Sequence, residues 1–351
     1  VKKNMSLEEL RENFANAGSG FFLDEGLQRT ARLMAGPGEF RPAPYAGIPS
    51  LLDAPVRPMT DETLEQLQLA LIGMPMDLGV TNRNGARFGP RALRVIERIG
   101  PHNEVLNIAP VHELEVADIG DVPFRSRFHL DKCHEDIEVF IARLVASGVM
   151  PFSVGGDHSI SHPILRAVGK DAPVGMIHID AHADTGGIYD EERFHHGAPF
   201  RNAVLEGVLD PRRTIQIGIR GSATFSYEFS HLAGMTVVEC REVAQMGLPA
   251  LIEKCRAVVG DGPTYLSFDV DSLDPAYAPG TGTPEPAGLT PHEVLTLLRG
   301  LVGVNVVGGD VVEVSPALDP GENTARNAAQ VLLEMISLAA FSPSLKGERR
   351  A

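Results

Sequence analysis

The sequence predicts an α/β fold with a largely parallel sheet of eight strands, covered by helices on both faces. From residue 67 onward, apolar runs of strand length alternate with stretches of helical periodicity. Strands joined by helical crossovers lie parallel and need cover on both sides. The 351 residues are 43% apolar, ample for a substantial core.

The elements follow in order. Residues 6–59 differ from the rest: a short helical pattern over 7–14, then a stretch rich in Gly, Pro and Arg over 36–58. They form an arm, counted as residues 1–60, that packs on the body or on a neighbouring subunit. The body, residues 61–345, has strand candidates at 69–74, 114–119, 150–154, 174–179, 214–219, 236–239, 264–270 and 305–312. Helices are expected over 90–99, 131–147, 158–168, 199–209, 241–259, 291–300 and 325–340. Between 73 and 338 there is neither a linker nor an internal repeat, so one domain with an N-terminal arm is expected.

Bulk properties exclude several function classes. A formal charge of −15 argues against a nucleic-acid surface and favours small cations. Cys133, Cys240 and Cys255 are widely spaced, without a Cys-x-x-Cys, which fits a reducing compartment better than a disulfide frame or a zinc ribbon. No run approaches the roughly 20 apolar residues of a membrane span, and the first residues lack a signal peptide's hydrophobic run. The expectation is a cytoplasmic protein with no membrane partner.

Polar residues at three strand ends are left over by this pattern. In GMIHIDAHAD (175–184), an apolar strand ends in Asp180, His182 and Asp184. In extended backbone, alternate residues project to one side, so these side chains should converge beyond the strand's carboxyl end, where open α/β sheets bind ligands. In VGGDHS (154–159), paired glycines turn the chain sharply and deliver His158 at the start of a helix. In SFDVD (267–271), alternation sets Asp269 and Asp271 together, where two carboxylates resist burial unless they share a cation.

Two imidazoles and four carboxylates together carry a formal charge that balances two divalent ions. Six side chains for two ions require a bridging carboxylate. An oxygen-rich set suits manganese better than zinc, with nickel or iron as alternatives. Two ions about 3.5–4 Å apart make a nucleophile of water at neutral pH, so the expected chemistry is metal-assisted hydrolysis.

GGDHS at 155–159, IHIDAHAD at 177–184 and SFDVDSLDPAYAPGTGTPEPAG at 267–288 resemble the three signature motifs of the ureohydrolases: arginase, agmatinase and the guanidino-acid hydrolases. The resemblance spans about 73–338. It implies a three-layer α/β/α arginase-like fold, two manganese ions, and hydrolysis of a guanidinium to urea and an amine by a trimer or hexamer. By the same resemblance His158 and Asp184 match terminal ligands of one metal and His182 and Asp271 those of the other. Asp180 and Asp269 match the bridging positions, and Asp184 also steadies the intermediate. Glu313, in VEVSP, is similar to the glutamate that pairs with the substrate guanidinium, a planar cation suited to a planar carboxylate. Thr283 matches a pocket threonine. His196 of HHGAPF matches the proton shuttle, favoured over His195 by the glycine that follows.

Specificity is expected in TGGIYDEERFH (185–195), with Tyr189 as a substrate contact. The loop lacks the Asn and Ser-Gly-Asn pattern of arginases, which disfavours arginine. Its acidic residues suit agmatine's second cation, whereas Arg83 and Arg87 would suit the carboxylate of guanidinobutanoate or guanidinopropanoate. The long arm, as a cap, would favour guanidine, alkylguanidines or biguanides, with nickel in the same site. Two rivals stand beside these: a deacetylase-like amidohydrolase with one zinc, and a non-catalytic paralogue in a hetero-oligomer.

Overall fold

A computed structural model describes residues 4–17, 22–35, 46–96, 100–221 and 227–347. The eight strands are β1 (Leu69–Met74), β2 (Val116–Asp121), β3 (Met150–Gly155), β4 (Val174–Ile179), β5 (Leu209–Ile219), β6 (Thr236–Glu239), β7 (Thr264–Asp269) and β8 (Val306–Val312). All pair in parallel, in the order β2-β1-β3-β8-β7-β4-β5-β6. From β3 the chain leaps three places to β4, over the two positions that β8 and β7 later fill. That leap is the topological switch at which such sheets open a crevice at their carboxyl edge.

The period-two alternation of each strand divides the core between the two faces. Leu69 and Leu71 of β1 join one buried cluster with Val294, Leu297 and Leu332, while Ala70 and Ile72 join the other with Ile137, Ile141 and Ile164. Helices Leu248–Val259, Pro291–Arg299 and Asn323–Ala339 cover the first face; Leu130–Ala146, Ser161–Val168 and Pro199–Leu205 cover the second. Every residue of β1, β3, β4 and β7 is buried, so these strands are largely apolar rather than alternating, with the few polar residues, such as His178 and Ser267, buried too.

The departures from the expected elements have local causes. The expected helix over 241–259 is two helices, Cys240–Met246 and Leu248–Val259. Gly247 at φ 76° breaks the turn, and Pro249 starts the next helix because it lacks the donor to continue the first. The expected helix over 199–209 ends at Leu205, since Leu209 already pairs with Val174 as the start of β5. The expected helix over 90–99 runs as Gly89–Val95, and 97–99 lie outside the described residues. In the arm, the helix Leu7–Phe14 stands as expected, capped by Ser6 and Glu9. The helices Glu25–Ala35 and Asp61–Gln66 were not anticipated. Arg29 reaches Glu113 at 2.9 Å, the Leu51 N–H donates to Asp118, and Val56 bridges to Asp118, so this arm packs along the β2 edge of its own chain. Residues 36–45 lie outside the described residues. No helix among the described residues is long and apolar enough to cross a membrane.

Candidate metal centre

The four middle strands of the sheet, β3, β8, β7 and β4, each end in residues singled out by sequence: His158, Glu313, Asp269 with Asp271, and Asp180 with His182 and Asp184. The pleat, however, is not what gathers them. β4 stops at Ile179, and Asp184 lies beyond it in left-handed backbone at φ 49°. Asp269 ends β7 and caps a single turn, Val270–Ser272, that contains Asp271. Convergence therefore comes from turns beyond the strands, a correction to the extended-backbone argument.

His158 Nδ1 stands 2.9 Å from Asp184, 3.1 Å from Asp180 and 3.3 Å from Asp269. His182 Nδ1 stands 3.1 Å from Asp271 and 3.5 Å from Asp180. Asp180 lies between the two histidines, with Oδ2 toward His158 and Oδ1 toward His182. A backbone N–H holds one oxygen on each of three carboxylates: His182 N donates to Asp180 at 2.6 Å, Asp271 N to Asp269 at 2.8 Å, and Ala181 N to Asp271 at 3.2 Å. The remaining oxygens stay turned inward.

The tautomer of His158 can be read from its surroundings. Asp310 accepts from Tyr265, Ser161 and Ser267, so the Ser267 hydroxyl spends its proton on Asp310 at 2.7 Å. Ser267 then accepts from His158 Nε2–H at 2.9 Å, which leaves Nδ1 as the bare nitrogen. Nδ1 is buried, without a hydrogen bond of proper geometry, and faces three carboxylates. A lone pair aimed at anionic oxygens needs a cation between them. The donor set therefore fits divalent ions.

Charge at the site tells the same story. Burial would discharge His158, but Asp180, Asp184 and Asp269 outweigh it and hold the ring well above its usual range. His182 is raised likewise against its burial, chiefly by Asp271. Burial raises Asp269, and the neighbouring Asp271 and Asp180 push it further; burial also raises Asp271. Without a metal, the pocket gathers protons in its place. Two groups of metal-ligating geometry stand out among the described residues: Asp180, His182 and Asp271, and His158, His178 and Asp180. Asp180 belongs to both. His178 is spoken for on both nitrogens, since Nε2 reaches Asp180 at 2.7 Å and Nδ1 meets the Gln216 amide at 3.1 Å.

Glu313 sits beside this cluster in left-handed backbone at φ 64°, its N–H bonded to the Gly156 carbonyl. Oε1 accepts from the His158 N–H at 2.9 Å and meets His196 Nδ1 at 2.9 Å. Oε2 is buried without a hydrogen-bond partner. Burial alone would discharge His196, but Glu313 outweighs it and raises the ring to about 9. His195 turns away to the Gly187 carbonyl. Thr283 donates to Asp271 Oδ2 at 3.2 Å.

A cavity of about 820 Å³ lies between residues 78–81, 128–131 and 189–195. Tyr189 lines it, 55% exposed, with Asp131, Asp190, Glu191 and Glu192. Phe128 and His129, from the segment after β2, were not anticipated. Arg87 is paired with Asp77, and Arg83 donates to the carbonyls of Thr281 and Gly282, so both guanidiniums serve as internal ties.

Sequence reasoning also missed Arg220, His178, Thr81 and Asp157. Arg220 donates to the carbonyls of Gly218, Asp271, Ser272, Leu273, Glu285 and Pro286, tying the ligand-bearing turn after β7 to residues 285–286 and to the end of β5. Asp157 accepts from Gly79 N and Ser159 N, and burial together with Glu313 raises it to about 6. His178 alone had a signal, as an imidazole two positions before Asp180 inside a buried strand.

The arginase family profile matches residues 67–337. The chain is 46% identical over 302 residues to a guanidinopropionase of Pseudomonas aeruginosa, covering 85% of this chain and 93% of that one. It is 44% identical over 313 residues to a mitochondrial agmatinase of Gallus gallus, covering 88% and 91%. The structure is similar to proclavaminate amidino hydrolase from Streptomyces clavuligerus, with a TM-score of 0.80 at 34% identity over 85% of this chain and 98% of that one. A formiminoglutamase of Trypanosoma cruzi solved with Mn2+ matches with a TM-score of 0.71 at 27% identity, over 85% and 100%.

Proposed function

This chain belongs to the arginase family, and on that premise we propose that it hydrolyses the guanidinium of a small guanidino compound to urea and an amine, using two divalent ions. One observation carries the reading most strongly: Glu313 Oε2, buried and unpartnered beside two histidines and four aspartates. An unpaired buried carboxylate oxygen is costly, and a guanidinium is the cation whose planar fork matches it.

His158 and Asp184 would hold one ion, His182 and Asp271 the other, with Asp180 and Asp269 shared. Manganese is the expected metal, from the oxygen-rich donor set and the Mn2+ of the related formiminoglutamase, with nickel the alternative. Bound there, such ions would supply Lewis-acid polarisation and lower the pKa of water toward neutrality. The chain's own residues do the rest. Glu313 orients the guanidinium and fixes which carbon faces the cluster. Asp184 accepts hydrogen bonds from the same substrate end. Thr283 holds Asp271 in place and lines the pocket. His196, charged at neutral pH, stores the proton that the departing amine needs.

The tail of the substrate would lie in the 820 Å³ cavity against Tyr189. Four acidic side chains at that mouth disfavour a carboxylate tail and favour a second cation, as in agmatine. With Arg83 and Arg87 tied internally, the guanidino acids rank second. Residues 1–60 would be an accessory arm on a catalytic domain of 61–345. The assembly would be a homo-oligomer, trimer or hexamer, in a cytoplasm-like reducing compartment that suits three free cysteines.

A urea-release screen tests the reading: arginine, agmatine, 3-guanidinopropanoate, 4-guanidinobutanoate, guanidine and a biguanide, with Mn and Ni supplied separately. Release from agmatine or a guanidino acid is expected. No urea from any of them would end the proposal. A single zinc per chain with amide cleavage would favour the deacetylase-like rival instead.

A further inference from the structure

His196 can hold the proton for the departing amine, yet both of its ring nitrogens are already engaged. Nδ1 faces Glu313 Oε1 at 2.9 Å, and Nε2 faces Thr81. The ring is buried, whereas Thr81 is exposed and forms part of the wall of the 820 Å³ cavity. Thr81 is therefore the residue that links Nε2 of His196 to the cavity wall.

Thr81 presents two groups to Nε2 with different demands. Its backbone N–H, at 3.2 Å, can only donate and so favours the neutral ring. Its hydroxyl, at 2.7 Å, can donate to the neutral ring or accept from the charged one, so it serves both states of His196 and can pass between them. The hydroxyl contact is shorter by half an ångström, so the hydroxyl is the tighter of the two partners of Nε2. This agrees with the charge that Glu313 confers on His196 against its burial, helped by Asp184 and Asp157, which also face it. The loop carrying Thr81 is held in place from both sides: Gly79 N donates to Asp157 at 2.8 Å, and His196 N donates to the Gly79 carbonyl at 2.9 Å.

We propose that Thr81 is a catalytic residue, its hydroxyl passing the proton of His196 to the departing amine. This rests on the function proposed above, which lays the tail, and with it the amine nitrogen, along the cavity wall. As the C–N bond breaks, its electron pair stays on the amine nitrogen. That nitrogen takes the hydroxyl proton of Thr81 while Oγ1 takes the Nε2 proton, so the hydroxyl is restored and His196 ends neutral.

The test compares wild type, Thr81→Val and Thr81→Ser, loaded with Mn. Valine keeps the shape and the backbone N–H but loses the relay; serine keeps the relay. For a guanidine that releases an alkylamine, kcat of T81V should fall by about 100-fold or more with KM little changed, and T81S should retain most activity. For a guanidine that releases a weakly basic arylamine the loss should shrink, because such a leaving group needs less protonation. Unchanged kcat in T81V, an equal loss for both leaving groups, or T81S as poor as T81V would each overturn the proposal. A readout independent of turnover is the His196 ring proton in the metal-free chain by nitrogen-edited NMR. A protected Nε2–H signal should be present in wild type and lost in T81V, and its persistence in T81V overturns the proposal. Should wild type release urea from no guanidine, the proposed function falls on that result, and the ring-proton signal still decides whether Thr81 holds the proton of His196.

Discussion

His178 and Asp180, two positions apart at the end of β4, meet at 2.7 Å through Nε2 and Oδ2. The Gln216 amide nitrogen, on the paired position of β5, reaches the Ala183 carbonyl at 2.5 Å and His178 Nδ1 at 3.1 Å. A carbonyl only accepts, so the amide nitrogen must face it, Nδ1 must accept, and Nε2 must donate to Asp180. His178 is thus a fixed donor that aims the carboxylate lying between His158 and His182.

From this, His178→Leu should weaken ion binding by about 10- to 100-fold, as losing an outer hydrogen bond to a ligand does. His178→Gln, whose amide can still donate, should retain two ions per chain. Equilibrium dialysis with metal analysis checks both. Loss of one ion in H178Q would make His178 a ligand and contradict the donor role.

Glu313→Gln removes the charge that the guanidinium would meet while keeping the shape. Breaking a buried, bonded ion pair from one side costs ~3–5 kcal/mol, so kcat/KM should fall by about two to four orders of magnitude. Ion content should stay at the wild-type level, since Glu313 touches no ion in this account. Steady-state kinetics beside metal analysis separates the two effects.

The metal-free chain should lose stability between pH 6.5 and 9. His196 is raised from its unfolded value of about 6.5 to about 9. A group with a raised folded pKa contributes fully below its unfolded value, and that contribution is lost as pH rises through the folded one. His158 and His182, held charged by the aspartates, act in the same sense. Asp157, raised to about 6, adds a separate loss between about pH 4 and 6. Thermal melts in a chelator across this range check the slope. His196→Asn should flatten the upper part, and added Mn should oppose the trend because binding expels the histidine protons.

Arg220→Lys should be far from conservative. One ammonium cannot serve carbonyls of six residues spread over the end of β5 and the loop after β7, so stability should drop by ~2–4 kcal/mol in denaturant titration. The ion held by Asp271 should be the weaker of the two in this variant. Arg220 donates to the Asp271 carbonyl at 2.7 Å and so sets where that residue stands.

Much of this was legible in the sequence, for identifiable reasons. β1 and β4 carry their bounds in the primary structure because they are buried on both faces and read as nearly continuous apolar runs, broken in β4 only by His178. The ligand cluster was legible because Asp and His at strand ends have no packing reason to be there. The left-handed turns at Asp184 and Glu313 were not, because no glycine marks them and tertiary bonds hold them. Arg220 and Thr81 were invisible for a different reason. Their partners are backbone carbonyls and a ring nitrogen far away in sequence, and contacts of that kind leave no local pattern. The break at Gly247 is marked in the sequence by Gly-Leu-Pro, a glycine free to take φ 76° followed by a proline that starts the next helix.

The most direct measurement is metal content against urea release in one titration of the metal-free chain with Mn. Two ions bound per chain, with urea from agmatine or a guanidino acid rising only as the second site fills, is the predicted result. Saturation at one ion, or turnover undiminished after both are stripped, would contradict it.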